Sequence, residues 1–133
     1  MTRSERLNAY VTKTASEEVV WGFNDCTAWA ASWAKLEAGR DIIMPHYKGE
    51  TQARLMLSRK PLVDWADEAL SSSGFFPCLG NPACGDIGVI LLSTCQVSVI
   101  FVHGGLALWK GTQAVSVIRP ETVLKSWEVP SRD

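Results

Sequence analysis

Cys26 carries the clearest chemical potential in the chain, because Trp21-Gly22-Phe23-Asn24-Asp25-Cys26 runs directly into an amphipathic helical pattern. A thiol at a helix N-terminus meets orphan backbone N–H groups and the positive end of the helix dipole, and both favour a thiolate. Acyl transfer by cysteine needs that thiolate aimed at a carbonyl, an imidazole to move the proton, and usually a polar group that orients the ring. Two readings of Cys26 stand side by side. It is a nucleophile, or it is an inert packed thiol, since it shares a helical face with Trp29 and Trp33 and cysteine is among the most buried residue types. Asn24 or Asp25 can cap the helix, orient neighbouring groups or line a cleft.

Only two histidines exist, His46 and His103. His103 closes an apolar run ahead of Gly104-Gly105, so it is a candidate base or simply the polar opening of a turn. His46, between Pro45 and Tyr47, reads as loop chemistry. Asp86, after Gly85, either holds its loop by accepting backbone N–H bonds or reaches the helix that carries Cys26.

No metal and no cofactor is expected. The Cys78-x5-Cys84 spacing is wider than that of a zinc knuckle, and no His-x-Glu precedes it. Nor does the chain hold a phosphate loop, an EF-hand pattern or His-Glu-x-x-His. Cys78 and Cys84 could pair in an oxidising setting. The polar N-terminus lacks the apolar region of a signal peptide, so reduced thiols are the expectation for all four cysteines.

The elements that must position these residues divide the chain in two. Residues 4–14 read as a helix with Ser4 as a possible cap. Cys26, Trp29, Ala30 and Trp33 mark a second helix that Gly39 ends. A third is predicted over residues 50–58 with Ala53 and Leu57 facing in. A fourth starts at Pro61 and stops at Gly74, with a stripe of Leu62, Trp65, Ala66, Ala69 and Leu70. After a Gly/Pro-rich loop at 75–85 the pattern changes to short β-branched runs at 87–92, 96–102, 106–109 and 114–118. Residues 121–126 read as one last helical turn. Helices first and an antiparallel sheet afterwards predict an α+β fold.

With 133 residues, 47% of them apolar and 20% charged, residues 1–133 read as a single globular domain. The formal charge of −1 comes without any Lys/Arg run, so nucleic acid is not an expected partner. No apolar run reaches the roughly 18–20 residues of a membrane span. Six Trp is a high count, and Trp29, Trp33 and Trp65 at helical spacing are expected in the core.

Taken in order, Trp21-Gly22-x-x-Asp25-Cys26, Ala38-Gly39-Arg40-Asp41, Gly85-Asp86-Ile87 and Ser126-Trp127-Glu128-Val129 resemble a family of phage and prophage proteins encoded among tail genes and similar to the NlpC/P60 branch of papain-like hydrolases. The resemblance covers residues 7–129. It implies a papain-like α+β fold, N-terminal helices packed on a four- to five-stranded antiparallel sheet. It implies a protein made in the bacterial host cytoplasm and assembled into the virion tail, with tail proteins as partners. In NlpC/P60 hydrolases the cysteine of an Asp-Cys pair attacks an amide of a peptidoglycan stem peptide, and Cys26 with Asp25 occupies that position. The base of those enzymes opens the next strand in a His-Val-Gly-Ile-like run, where this chain has Gln96-Val97-Ser98-Val99. The third polar residue would fall at 106–109, which offers apolar side chains. His103 has the opposite strand parity to Gln96 and lies about 23 Å further along an extended chain, at roughly 3.3 Å per residue. The resemblance therefore implies a degenerate, non-catalytic hydrolase fold in a phage tail. The alternative is a cysteine amidase or endopeptidase that cleaves stem peptides with Cys26 as nucleophile.

Overall fold

Local caps set the helices in the computed structural model, which describes residues 1–22 and 25–132. Helix α1 (Arg3–Thr14) opens with a capping box in which the Thr2 hydroxyl accepts the Glu5 N–H and the Glu5 carboxylate accepts the Thr2 N–H. The cap thus lies two residues before Ser4. Helix α2 (Cys26–Ala38) is capped by Asp25 and ends at Gly39, whose left-handed conformation suits a residue without a Cβ. Asn24, the other candidate cap, and Phe23 lie outside the described residues. Helices α3 (Gly49–Arg59) and α4 (Leu62–Ser72) follow, with Pro61 at the N-cap of α4. Ala53 is buried, as the spacing predicts, whereas Leu57 is exposed.

Five antiparallel strands complete the fold: β1 (Ile87–Leu92), β2 (Cys95–Phe101), β3 (Ala107–Lys110), β4 (Val115–Ile118) and β5 (Thr122–Trp127), in the order β4-β3-β2-β1-β5. His103–Gly105 forms a single 3₁₀ turn between β2 and β3. The last strand corrects the helical turn predicted at 121–126. Its partner is β1, through Ile87↔Trp127, Gly88↔Ser126 and Val89↔Lys125, and a pairing that distant leaves no local signature. Gly88 permits the approach, because a Cβ there would come within 2.6 Å of both the Lys125 carbonyl oxygen and the Phe101 ring. Beyond β5, residues 76–78 cover the sheet edge, with Cys78 N–H donating to the Ser126 carbonyl and Glu128 N–H to that of Phe76.

Each face of the sheet carries a buried apolar cluster. Trp29, Trp33, Leu7, Leu70 and Phe75 pack against Val89, Ile100 and Trp127 on one face. Ile90, Val99, Phe101 and Ala107 form a second cluster with Trp109 and Ile118. Two tryptophan N–H groups inside the main core have partners, Trp33 donating to the Gly85 carbonyl and Trp29 to the Thr14 hydroxyl, each at 2.8 Å, whereas the buried Trp127 N–H has none.

A polar clasp ties the two ends of the chain to this core. Glu37, 1% exposed, receives Arg6 through two bonds of 2.8 and 3.0 Å and has Arg3 at 3.8 Å. Burial alone pushes its carboxyl up. The Arg6 hydrogen bond and charge, a backbone bond from Arg132 and the Arg3 charge together outweigh that, and the group lies below its ordinary value. Asp86 accepts from Arg3, Ala83 N–H and Val129 N–H, which is the loop-holding role rather than a reach to Cys26.

Candidate functional site

Asp25 builds the entry to α2. Its Oδ1 accepts the Thr27 and Ala28 N–H groups at 3.1 and 3.0 Å, and its Oδ2 accepts the Gly22 N–H at 2.7 Å and the Tyr47 hydroxyl at 2.6 Å. One buried carboxylate therefore joins the helix start, the turn before it and the 41–48 loop. Gly22 is needed in that turn: its φ is +88°, and a Cβ would sit 2.4 Å from the Tyr47 carbonyl oxygen. Burial, then the bond to Asp25, pushes the Tyr47 phenol far above its ordinary range, so it stays a donor.

Cys26 follows on the wall of a cleft of about 510 Å³. Met44 and Pro45 of the 41–48 loop, Met56 and Leu57 of α3, and Leu62, Trp65, Ala66 and Ala69 of α4 line this cleft together with Gln96, Val97 and Trp109. Most of the predicted α4 stripe, including Trp65, is thus cleft wall, and only its Leu70 is fully buried in the core. Strands β2 and β3 separate here. They pair only at Ile100↔Leu108 and Phe101↔Ala107, while β3 stays with β4 as far as Lys110↔Val115. The start of α2 reaches β2 at this splay, with Thr27 Oγ1 2.9 Å from Ser98 Oγ.

The sulfur is half-buried, and burial pushes the thiol above its ordinary value. The Ser98 N–H, the Thr27 hydroxyl and the Trp109 indole N–H favour the thiolate, and the neighbouring Asp25 charge opposes it. Desolvation prevails, so Cys26 is a neutral thiol at neutral pH. Trp109 Nε1, in the wall of the same cleft, is buried and has no hydrogen-bond partner.

The structure brings Cys26, Asp25 and Gln96 to one cleft and leaves both histidines out of its lining. Gln96 Oε1 accepts the Val63 N–H at 2.9 Å, so the residue at the expected base position ties the first turn of α4 to β2. His103 is exposed on the turn beyond the far end of β2, the end opposite Gln96, and does not line the cleft that holds Cys26. His46 is exposed although its neighbours Pro45 and Tyr47 line the cleft. The spacing gives no sign of Tyr47, Thr27 or Ser98, whose roles depend on contacts across the fold. Trp109 is visible only as an aromatic near a turn.

A family model described as Domain of unknown function (DUF6950) matches residues 1–129. The chain belongs to this family. No curated protein and no solved structure matches it. In this DUF6950 domain the cysteines are free, with Cys78 donating weakly to Asp86 at 3.6 Å and Cys84 beside the Ser4 hydroxyl at 3.9 Å. Among the described residues, no group of three His, Cys, Asp or Glu side chains could hold a metal ion. Among them, too, no helix is long and apolar enough to cross a membrane.

Proposed function

We propose that this chain is a non-catalytic binding module on a papain-like, NlpC/P60-related scaffold, and that it works in a phage tail through the cleft beside Cys26. The observation that carries this reading is the use made of Gln96. An amide has no basic nitrogen near neutral pH, and this one is held by Val63. A thiol that burial keeps protonated, in a cleft whose lining holds this amide and neither histidine, lacks the imidazole that moves the proton in acyl transfer. What the cleft does offer is a concave, mainly apolar surface of ligand size. The tail setting, with synthesis in the host cytoplasm and tail proteins as partners, rests on the ordered Trp-Gly-x-x-Asp-Cys, Gly-Asp and Ser-Trp-Glu-Val resemblance.

The test is incubation of wild type and Cys26→Ala with purified peptidoglycan, followed by measurement of new free amines. Neither protein is expected to release any. Release by wild type alone establishes a cysteine amidase or endopeptidase and overturns the module.

A further inference from the structure

We propose that the cleft receives an extended segment of a partner protein, its main chain along the open side of β2 and one bulky apolar side chain in the pocket. This rests on the binding-module reading and adds the chemistry of the ligand.

Three observations point to that occupant. The first is charge. Among the ionisable groups that line the cleft, Asp25 is held by four donors, Lys110 donates to the Glu17 and Gly111 carbonyls, and Glu50 pairs with Arg54 on the surface. The pocket walls are otherwise aliphatic, thioether and aromatic, so they favour a neutral apolar group and disfavour a charged one.

The second is the strand edge. Phe101 N–H donates toward β1, to the Asp86 carbonyl, whereas Val102 N–H donates the other way, to the Leu106 carbonyl. By the alternation of an antiparallel ladder, Gln96 and Ser98 direct their backbone groups to the side that β3 has left. The Ser98 N–H turns to the Cys26 sulfur. The backbone of Gln96, beside the pocket, is placed for an incoming main chain in the strand-addition mode, where ladder bonds give affinity and a pocket selects the side chain. The third is the Trp109 indole N–H, a buried donor with no partner in a wall of the same cleft, which suits a ligand carbonyl. A free alkyl chain would match the walls and leave both polar features unanswered.

The experiment is an NMR titration of the isotopically labelled full chain with acetyl-Gly-Gly-Phe-Gly-Gly-amide. The same peptide with Asp in place of Phe and the surfactant-like anion dodecanoate serve as separate arms. The Phe peptide is expected to move the Gln96 amide and the Trp109 indole resonance saturably. It should bind at least about tenfold more tightly than the Asp peptide, the factor that burying one large apolar side chain supplies. Ala66→Trp, which fills the pocket, and Leu57→Glu, a change at an exposed rim residue that leaves the core intact, are each expected to weaken it by a similar factor. Equal binding of the Asp peptide overturns the proposal. So does a response to dodecanoate alone, or no response to the Phe peptide. Any of these, together with no amine release from peptidoglycan, removes the peptide ligand and leaves the non-catalytic module standing.

Discussion

Two buried aspartates, each near a cysteine, organise opposite ends of this protein in different ways. Asp86 sits in the clasp, where Arg3 supplies a cation and Glu37 is held beside it by Arg6. Asp25 sits at the cleft, where each of its four hydrogen-bond donors is neutral, three backbone N–H groups and a phenol. The clasp binds chain ends together with charge. At the cleft, a carboxylate fixes loop geometry, and none of the four donors it holds is a cation. A scaffold stabilised at one end can hold an open apolar cavity at the other, and nearness to an aspartate does not by itself activate a cysteine.

The comparison breaks first at Glu37. Glu37→Ala removes the buried carboxylate that pairs with the partly buried Arg6 and Arg3, and is expected to lower stability by about 3 kcal/mol, measured by urea unfolding. The pH dependence follows the same group. Its folded value lies below the ordinary 4.5, so its stabilisation is complete above that pH and is lost as pH falls through the depressed folded value. Wild type should therefore weaken on acidification below about pH 4.5 more steeply than Glu37→Ala.

Asp25→Ala comes next. It removes the α2 cap and the ties to Gly22 and Tyr47, for an expected loss of about 2–3 kcal/mol. Its signature differs from that of the clasp variant. Resonances of Tyr47, Cys26 and Thr27 should shift, while those of Arg3 and Val129 should not. The smallest stability change is Gln96→Ala, about 1 kcal/mol by thermal unfolding, confined to the first turn of α4.

How far these regions could be read from sequence depends on the range of the contacts. The Asn24-Asp25 pair and Gly39 mark α2 within a turn of its ends, so that helix was legible, though which of the two residues caps it was not. The partner of β5 lies some thirty-five residues away in the chain, and local pattern mistook residues 121–126 for a helical turn. The α4 stripe was visible as apolar, yet periodicity cannot distinguish a core wall from a cleft wall. At the site, Cys26 and Asp25 stood out by local spacing. The hold of Gln96 on Val63 and of Asp25 on Tyr47 crosses the fold, and residue types alone do not report it.

The proposed silence of the cleft depends on a sulfur without an imidazole. Its most direct test is the pH profile of iodoacetamide alkylation at Cys26, followed by peptide mass spectrometry in wild type and in His46→Ala and His103→Ala. The expected midpoint lies above the ordinary thiol value of 9.0, and neither histidine change should move it. A midpoint at or below neutrality, shifted upward by loss of either histidine, would show an activated cysteine and contradict the non-catalytic reading.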